Sequence, residues 1–397
     1  MRMKTLIILL LLLGVLAGTA AILVYRNSSQ RTAKVLGSRL LPSLPVNEVA
    51  SLTVRSARQT VSMLKKEGGW VVEERFSYPA DFGKIADLVR TLKEAKVGRE
   101  FAGSDETLGR LALREPDDPG AADNEKGTRL LLKDDKQKVL ASVILGEQRQ
   151  ADLQRGESPG RYVRLGKEPT VYLIDEQFAT VGQQPQDWLD AYLLKTAAAE
   201  VKRISCIASH GNKVLYAFVR SEKGKDLQPL GLPASKEINQ YALKQLAGAL
   251  AYLRVEDVVR PAPEAPAAAD FPYRLDYELF NGTIYRIYPG KGCSETEPCR
   301  LRLEIDYRQP PPGPEKPAAT SKSAETKSEA QTPPPEKPEE LARQAAKLNE
   351  RLSPWLYQVT RWQHLAFATD LDSLLEKQVQ PPPLTKKAPL SPARKRQ

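Results

Sequence analysis

Three cysteines, two histidines and several acidic runs are the residues of this 397-residue chain that could do covalent, acid–base or metal chemistry. Cys293 and Cys299 flank Ser-Glu-Thr-Glu-Pro in what reads as a hairpin loop. In an oxidising compartment this pair can close a small disulfide clasp; two unpaired thiols are the other reading. Zinc is poorly supported, because C-x5-C is not a common zinc spacing and histidine is scarce. Cys206 lies in the apolar run RISCIA, which predicts a buried thiol. His210 sits in the turn-like SHGNK and His364 beside Trp362, neither with a nucleophile or metal ligand at motif spacing. Both read as structural histidines. The acids of EPDDPGAADNE, namely Asp117, Asp118, Asp123 and Glu125, could approach a cation but lack calcium-loop spacing. A solvated loop is the better reading. Phosphate-loop, nucleophile-elbow and zinc-protease motifs are all missing from the sequence. No catalytic residue, cofactor site or metal ligand is therefore assigned, and no cofactor is expected. The remaining candidates are aromatic: Tyr273, Tyr277, Tyr285, Trp355 and Trp362 are a possible interaction face, with cross-strand packing as the plainer alternative.

The elements that carry these residues are written twice. PTVYLIDEQF from Pro169 and SPWLYQVTRW from Ser353 align Val171 with Leu356, Tyr172 with Tyr357 and Ile174 with Val359. EVASLTV from Glu48 and EVKRISC from Glu200 form a second echo. A third is helical. Asp81 is the expected cap of a stripe of Phe82, Ile85, Leu88, Val89 and Leu92, and Ser235 the expected cap of a second, Ile238, Ala242, Leu246, Ala249 and Leu253. Three echoes in one order predict a duplicated unit, spanning 46–196 and 199–377. Each repeated strand would be followed by a terminal helix, DWLDAYLL in the first unit and DLDSLLEK in the second. YRLDYELF and LRLEIDYR alternate with period two, which predicts antiparallel sheet with one buried face. Asn281-Gly282 marks the turn between two such strands. The fold class read from these patterns is α+β: an N-terminal transmembrane helix, then two repeated units of antiparallel sheet with packed helices.

The flanking segments differ in kind. Residues 6–25 carry no charge, and a helix of that length would cross roughly 30 Å of bilayer core. Residues 1–25 are thus expected to be a cytoplasmic tip and uncleaved anchor, with a cleaved signal peptide as the rival. Residues 26–45 read as a stalk. Residues 310–338 hold nine prolines and no large apolar side chain, so this insertion in the second unit should remain disordered. Residues 378–397 carry five cations and no acid, a basic tail. The tail accounts for half of the formal net charge of +10, so the remaining surface is only mildly basic and no nucleic-acid partner is expected. The localisation that follows is a single-pass protein of the inner membrane, in contact with its lipid, with the body in the periplasm or another extracytoplasmic space.

LGRLALREP, VILGEQ, GRYVRLG and PTVYLID, closed by DWLDAYLL, resemble the domain of unknown function 4340 family over 46–196, and more loosely in the second unit. Where the family has a Gly-Leu strand entry, this chain reads Leu111-Ala112-Leu113. The resemblance implies an auxiliary component associated with ABC transporters of the gliding-motility type, so the expected partners are the transporter's membrane subunits. It transfers no catalytic residue. A non-enzymatic auxiliary or scaffold subunit is the function it implies. The alternatives are a scaffold that binds envelope polymers or lipid surfaces through its basic tail, and an unrecognised enzyme.

Overall fold

The computed structural model describes residues 36–151, 154, 158–231, 237–261, 270–311 and 337–375. The chain divides into two compact units at Ala191/Tyr192. In the first, β1 (Ser51–Arg55), β2 (Thr60–Lys66), β3 (Gly69–Val72) and β4 (Tyr78–Pro79) lead into helix α1 (Phe82–Glu94). After β5 (Val97–Ala102) comes the short helix α2 (Asp105–Arg110). Then follow β6 (Thr128–Lys133), β7 (Val139–Arg149), β8 (Gly160–Leu165) and β9 (Thr170–Ile174). These strands form one nine-stranded sheet in the order β4-β3-β2-β1-β6-β7-β8-β9-β5.

The second unit opens with β10 (Tyr192–Leu194), β11 (Val201–Ala208), β12 (Val214–Val219) and β13 (Gln228–Pro229). Helix α3 (Gln240–Gly248), β14 (Leu253–Arg254), β15 (Asp257–Pro261), β16 (Tyr273–Leu279), β17 (Thr283–Pro289) and β18 (Cys299–Tyr307) follow. Helix α4 (Pro338–Leu352), β19 (Trp355–Val359) and helix α5 (Arg361–Phe367) close it. Its eight-stranded sheet runs β13-β12-β11-β16-β17-β18-β19-β15, and β10 pairs separately with β14. The two large sheets share one order: β1–β3 correspond to β11–β13, and β5–β9 to β15–β19. The echoed strands β9 and β19 occupy the same slot, each antiparallel to the strand before it and to an edge strand from after the first helix.

Alternation dictates the sheets. Ile204, Tyr277, Tyr285 and Ile305 stand opposite one another across β11, β16, β17 and β18, and all four are buried. Val54, Leu130 and Val143 make the matching row in the first unit. Helices cover these rows. Asp81 caps α1 by accepting from the Lys84 amide at 3.1 Å, and Ile85, Leu88, Val89 and Leu92 face the core. The cap of α3 is Asn239, which accepts from the Ala242 amide, so that helix begins after Ser235, a residue outside the described ones.

The fold class, both terminal helices and the membrane placement are corrected here. The α+β class gives way to mostly antiparallel sheet with few helices. Residues 187–194, read as a terminal helix, form a 3-10 turn at Pro185–Trp188 followed by β10, because the Trp188 indole is drawn inward to donate to the Gly182 carbonyl. The second supposed terminal helix is a three-residue 3-10 turn, Asp372–Leu374. The single-pass inner-membrane placement is corrected as well. Among the described residues no helix is long and apolar enough to cross a membrane. The longest, α4, has 15 residues and would reach only about 22 Å at 1.5 Å per residue. The segment 6–25, on which the transmembrane helix and its lipid contact were expected, lies outside the described residues, as do 312–336 of the insertion and the tail 378–397. Residues 36–45, within the expected stalk, pack on the first unit: Leu40 and Leu44 are buried, and the Leu40 amide donates to the Ala95 carbonyl.

Candidate functional site

The aromatic candidates are not on one face. Tyr277 is fully buried and its hydroxyl donates to the Leu246 carbonyl at 3.0 Å. Tyr285 is buried beside it. Tyr273 is half-buried, its hydroxyl 3.4 Å from the Phe367 carbonyl and its pKa pushed up to about 12, chiefly by burial. Trp355 is half-buried, with its indole donating to the Arg351 carbonyl. Only Trp362 stands in solvent, 67% exposed. Cross-strand packing therefore claims the tyrosines. Cys206, also buried, has its thiol pKa pushed up to about 11, chiefly by desolvation.

Trp362 leads to the other candidate pair. Cys293 and Cys299 are joined as a disulfide, with Cα atoms 4.3 Å apart, across the loop between β17 and β18. Inside that loop the Ser294 hydroxyl accepts from the amides of Thr296 and Glu297 at 3.2 and 3.1 Å. Cys299 pairs with Val359, the last residue of β19, so α5 starts beside the clasp. Thr360 caps α5 by accepting from the Gln363 amide. Two contacts then tie the helix to the loop. Arg361 approaches Glu295 at 3.6 Å, and His364 Nε2 lies 2.9 Å from the Gly290 carbonyl oxygen. That oxygen can only accept, so the ring proton sits on Nε2. His364 Nδ1 is buried without a partner among the described residues, and burial holds the ring pKa below its usual value.

The result is a rigid corner. Its apolar part is Trp362 and Leu365, neighbours at i and i+3, together with Tyr252, whose carbonyl accepts from Gln363 at 3.1 Å. Its acidic part is a shallow cavity of about 360 Å³ lined by Glu256, Glu295, Glu297 and Arg361. Sequence reading found Trp362 and the clasp separately. It missed Tyr252, Leu365 and their union, because that depends on the β18–β19 register. His210 lies in an exposed turn away from any such assembly.

The acids of 115–125 are engaged by arginines. Asp117 meets Arg55 at 3.3 Å, Glu125 and Asp118 meet Arg114 at 3.3 and 3.9 Å, and Asp123 meets Arg58 at 3.5 Å. Glu115 bridges Arg129 and the buried Arg164. Beside this ladder lies a small core of Leu113, Ile144 and Val171, with Phe101 of β5 and Leu108, Leu111 and Tyr162 packed against it. All but Phe101 come from the four stretches LGRLALREP, VILGEQ, GRYVRLG and PTVYLID. They form one structural knot. Residues 70–276, just over half the chain, match the family described as Domain of unknown function (DUF4340). The chain belongs to the DUF4340 family. No curated protein matches it, and no solved structure matches it. In this DUF4340 chain the motif residues hold a fold together, whereas helix α5 with Trp362 lies beyond the matched range and only Tyr252 and Glu256 of the corner fall within it.

Proposed function

We propose that this DUF4340 chain is a non-enzymatic auxiliary subunit that binds a protein partner through the Trp362 corner, and that the partner is a subunit of an ABC-transporter complex. The observation that carries the reading is Trp362 itself. A tryptophan two-thirds exposed contributes little to its own core, yet here it sits on a helix that Gln363 and His364 tie to Tyr252 and Gly290. Large aromatic side chains held out on a rigid base are the usual anchors of protein interfaces. The acids around it favour a partner segment that is apolar with basic flanks. The transporter assignment is supported only by the association that the family resemblance implies.

The test places a photo-crosslinking residue at position 362 of the full chain and identifies the captured protein from native cells. A transporter subunit should be captured, and Leu365→Asp should abolish capture while leaving the thermal transition unchanged. Capture of no transporter subunit, or capture indifferent to Leu365→Asp, overturns the proposal.

A further inference from the structure

The first unit carries a slot that the docking reading does not use. One wall is the flank of α1, where Phe82, Ile85, Ala86 and Val89 recur at helical spacing. The opposite wall is the 3-10 turn Val46–Glu48 and Val49. That turn is tied to the helix by Lys93 Nζ, which donates to the Leu44 carbonyl at 3.1 Å. Trp70 forms the floor; its side chain is buried, and its indole N–H has no hydrogen-bond partner among the described residues. The cavity measures about 490 Å³, within the range of small-molecule sites.

The helix explains why the slot exists. Its core face needs Ile85, Leu88, Val89 and Leu92, yet Phe82 is also apolar and stands 62% exposed at the mouth. The apolar stripe is therefore wider than the core, and its excess lines the slot. The rim is cationic on balance: Lys65, Arg90 and Lys93 against Glu94. Arg90 is held by Asp87 at 2.6 Å, and Lys93 is held by Leu44. The Lys65 ammonium has no partner among the described residues, and its strand places it opposite Trp70, within the slot's lining. A slot with apolar walls whose lining carries more cations than acids is complementary to an amphiphile with an acidic head.

We propose that this slot binds a single-chain amphiphile with an acidic head, its chain lying between α1 and the 46–49 turn and its head on Lys65. A carboxylate and a phosphate satisfy the same ammonium, so the shared chemistry is an anion at the end of an acyl or alkyl chain.

Isothermal titration of the full chain tests it, with dodecanoate, dodecyl phosphate and dodecanol as probes, each below its micellar concentration. Saturable binding of at least one acidic probe at one site is expected, with the alcohol at least tenfold weaker. The stronger acid identifies the head group. Lys65→Glu, at an exposed position, should weaken the acidic probe at least tenfold and leave the alcohol unchanged. Ala86→Trp should fill the slot and remove binding of all three probes. If Ala86→Trp does not fold, the comparison of acid with alcohol in Lys65→Glu still decides. Absence of saturable binding, equal affinity for acid and alcohol, or undiminished acid binding by Lys65→Glu overturns the proposal.

Discussion

His364 shows how one side chain can look catalytic and be structural. Its Nε2–H donates to Gly290, its Nδ1 is buried with no partner among the described residues, and protonation would place an unsatisfied N–H and a charge inside the second unit. Burial therefore holds the folded-state pKa below the ordinary 6.5. The unfolded chain binds the proton more readily, so stability rises with pH through this window. The contribution is intact above about pH 6.5 and falls as pH drops from there toward the folded value. Carboxylates add their own acid sensitivity, so the measurement compares variants. Urea midpoints at pH 7.5 and 5.5 should differ more for the natural chain than for His364→Gln, whose amide can still donate to Gly290. Equal differences would show that the ring does not titrate as described. The sequence showed that His364 had no chemical partner, but not that its ring buttresses a disulfide loop 74 positions away.

At the scale of elements, the knot of family motifs depends on close backbone approach. Ala112 adopts a positive φ of 48°, which turns the 111–113 stretch down onto β7. There the Glu147 amide donates to the Leu111 carbonyl at 2.9 Å. A Cβ at Gly146 would press on that carbonyl and on the Leu113 side chain. Gly146→Ala should therefore cost about 1–3 kcal/mol, the usual range for overpacking. Gly248→Ala, where a Cβ meets nothing within 4 Å, should be neutral or stabilising. Urea denaturation of both variants checks this, and equal stability for Gly146→Ala would show that the strap yields. Period-two strands, the Asp81 cap and the echo of β9 in β19 were legible because each is local. The arginine ladder was not, since Arg55, Arg129 and Arg164 meet Glu115 and Asp117 only after four strands have paired. Helix α4 was not legible because it starts at Pro338, the last proline of a run whose composition favours disorder; its Asn349 accepts from the Ile305 amide and fastens it to β18. Residues 187–194 misled by apolar spacing alone, which turns and short strands can also satisfy.

For the whole molecule, the duplicated strand order sets what can fold alone. The family match runs from Trp70 to Asp276, and neither limit is a structural boundary. A fragment cut there loses β1 and β2 from the middle of the nine-stranded sheet, so Leu130 and Leu132 lose their partners Val54 and Leu52. It also ends within β16, leaving Ile204 without the row completed by Tyr277, Tyr285 and Ile305. Both sheets would present new unpaired edges, which favour association over folding. Residues 36–191 instead keep all nine strands, α1 and the knot of motifs together. This fragment should unfold in one cooperative urea transition with protected amides in β1, β6 and β7. The 70–276 fragment should show no cooperative transition and little amide protection. A cooperative 70–276 fragment with native-like protection would mean that β1 and β2 are dispensable, and that the repeat is a weaker organiser of this chain than its strand order implies.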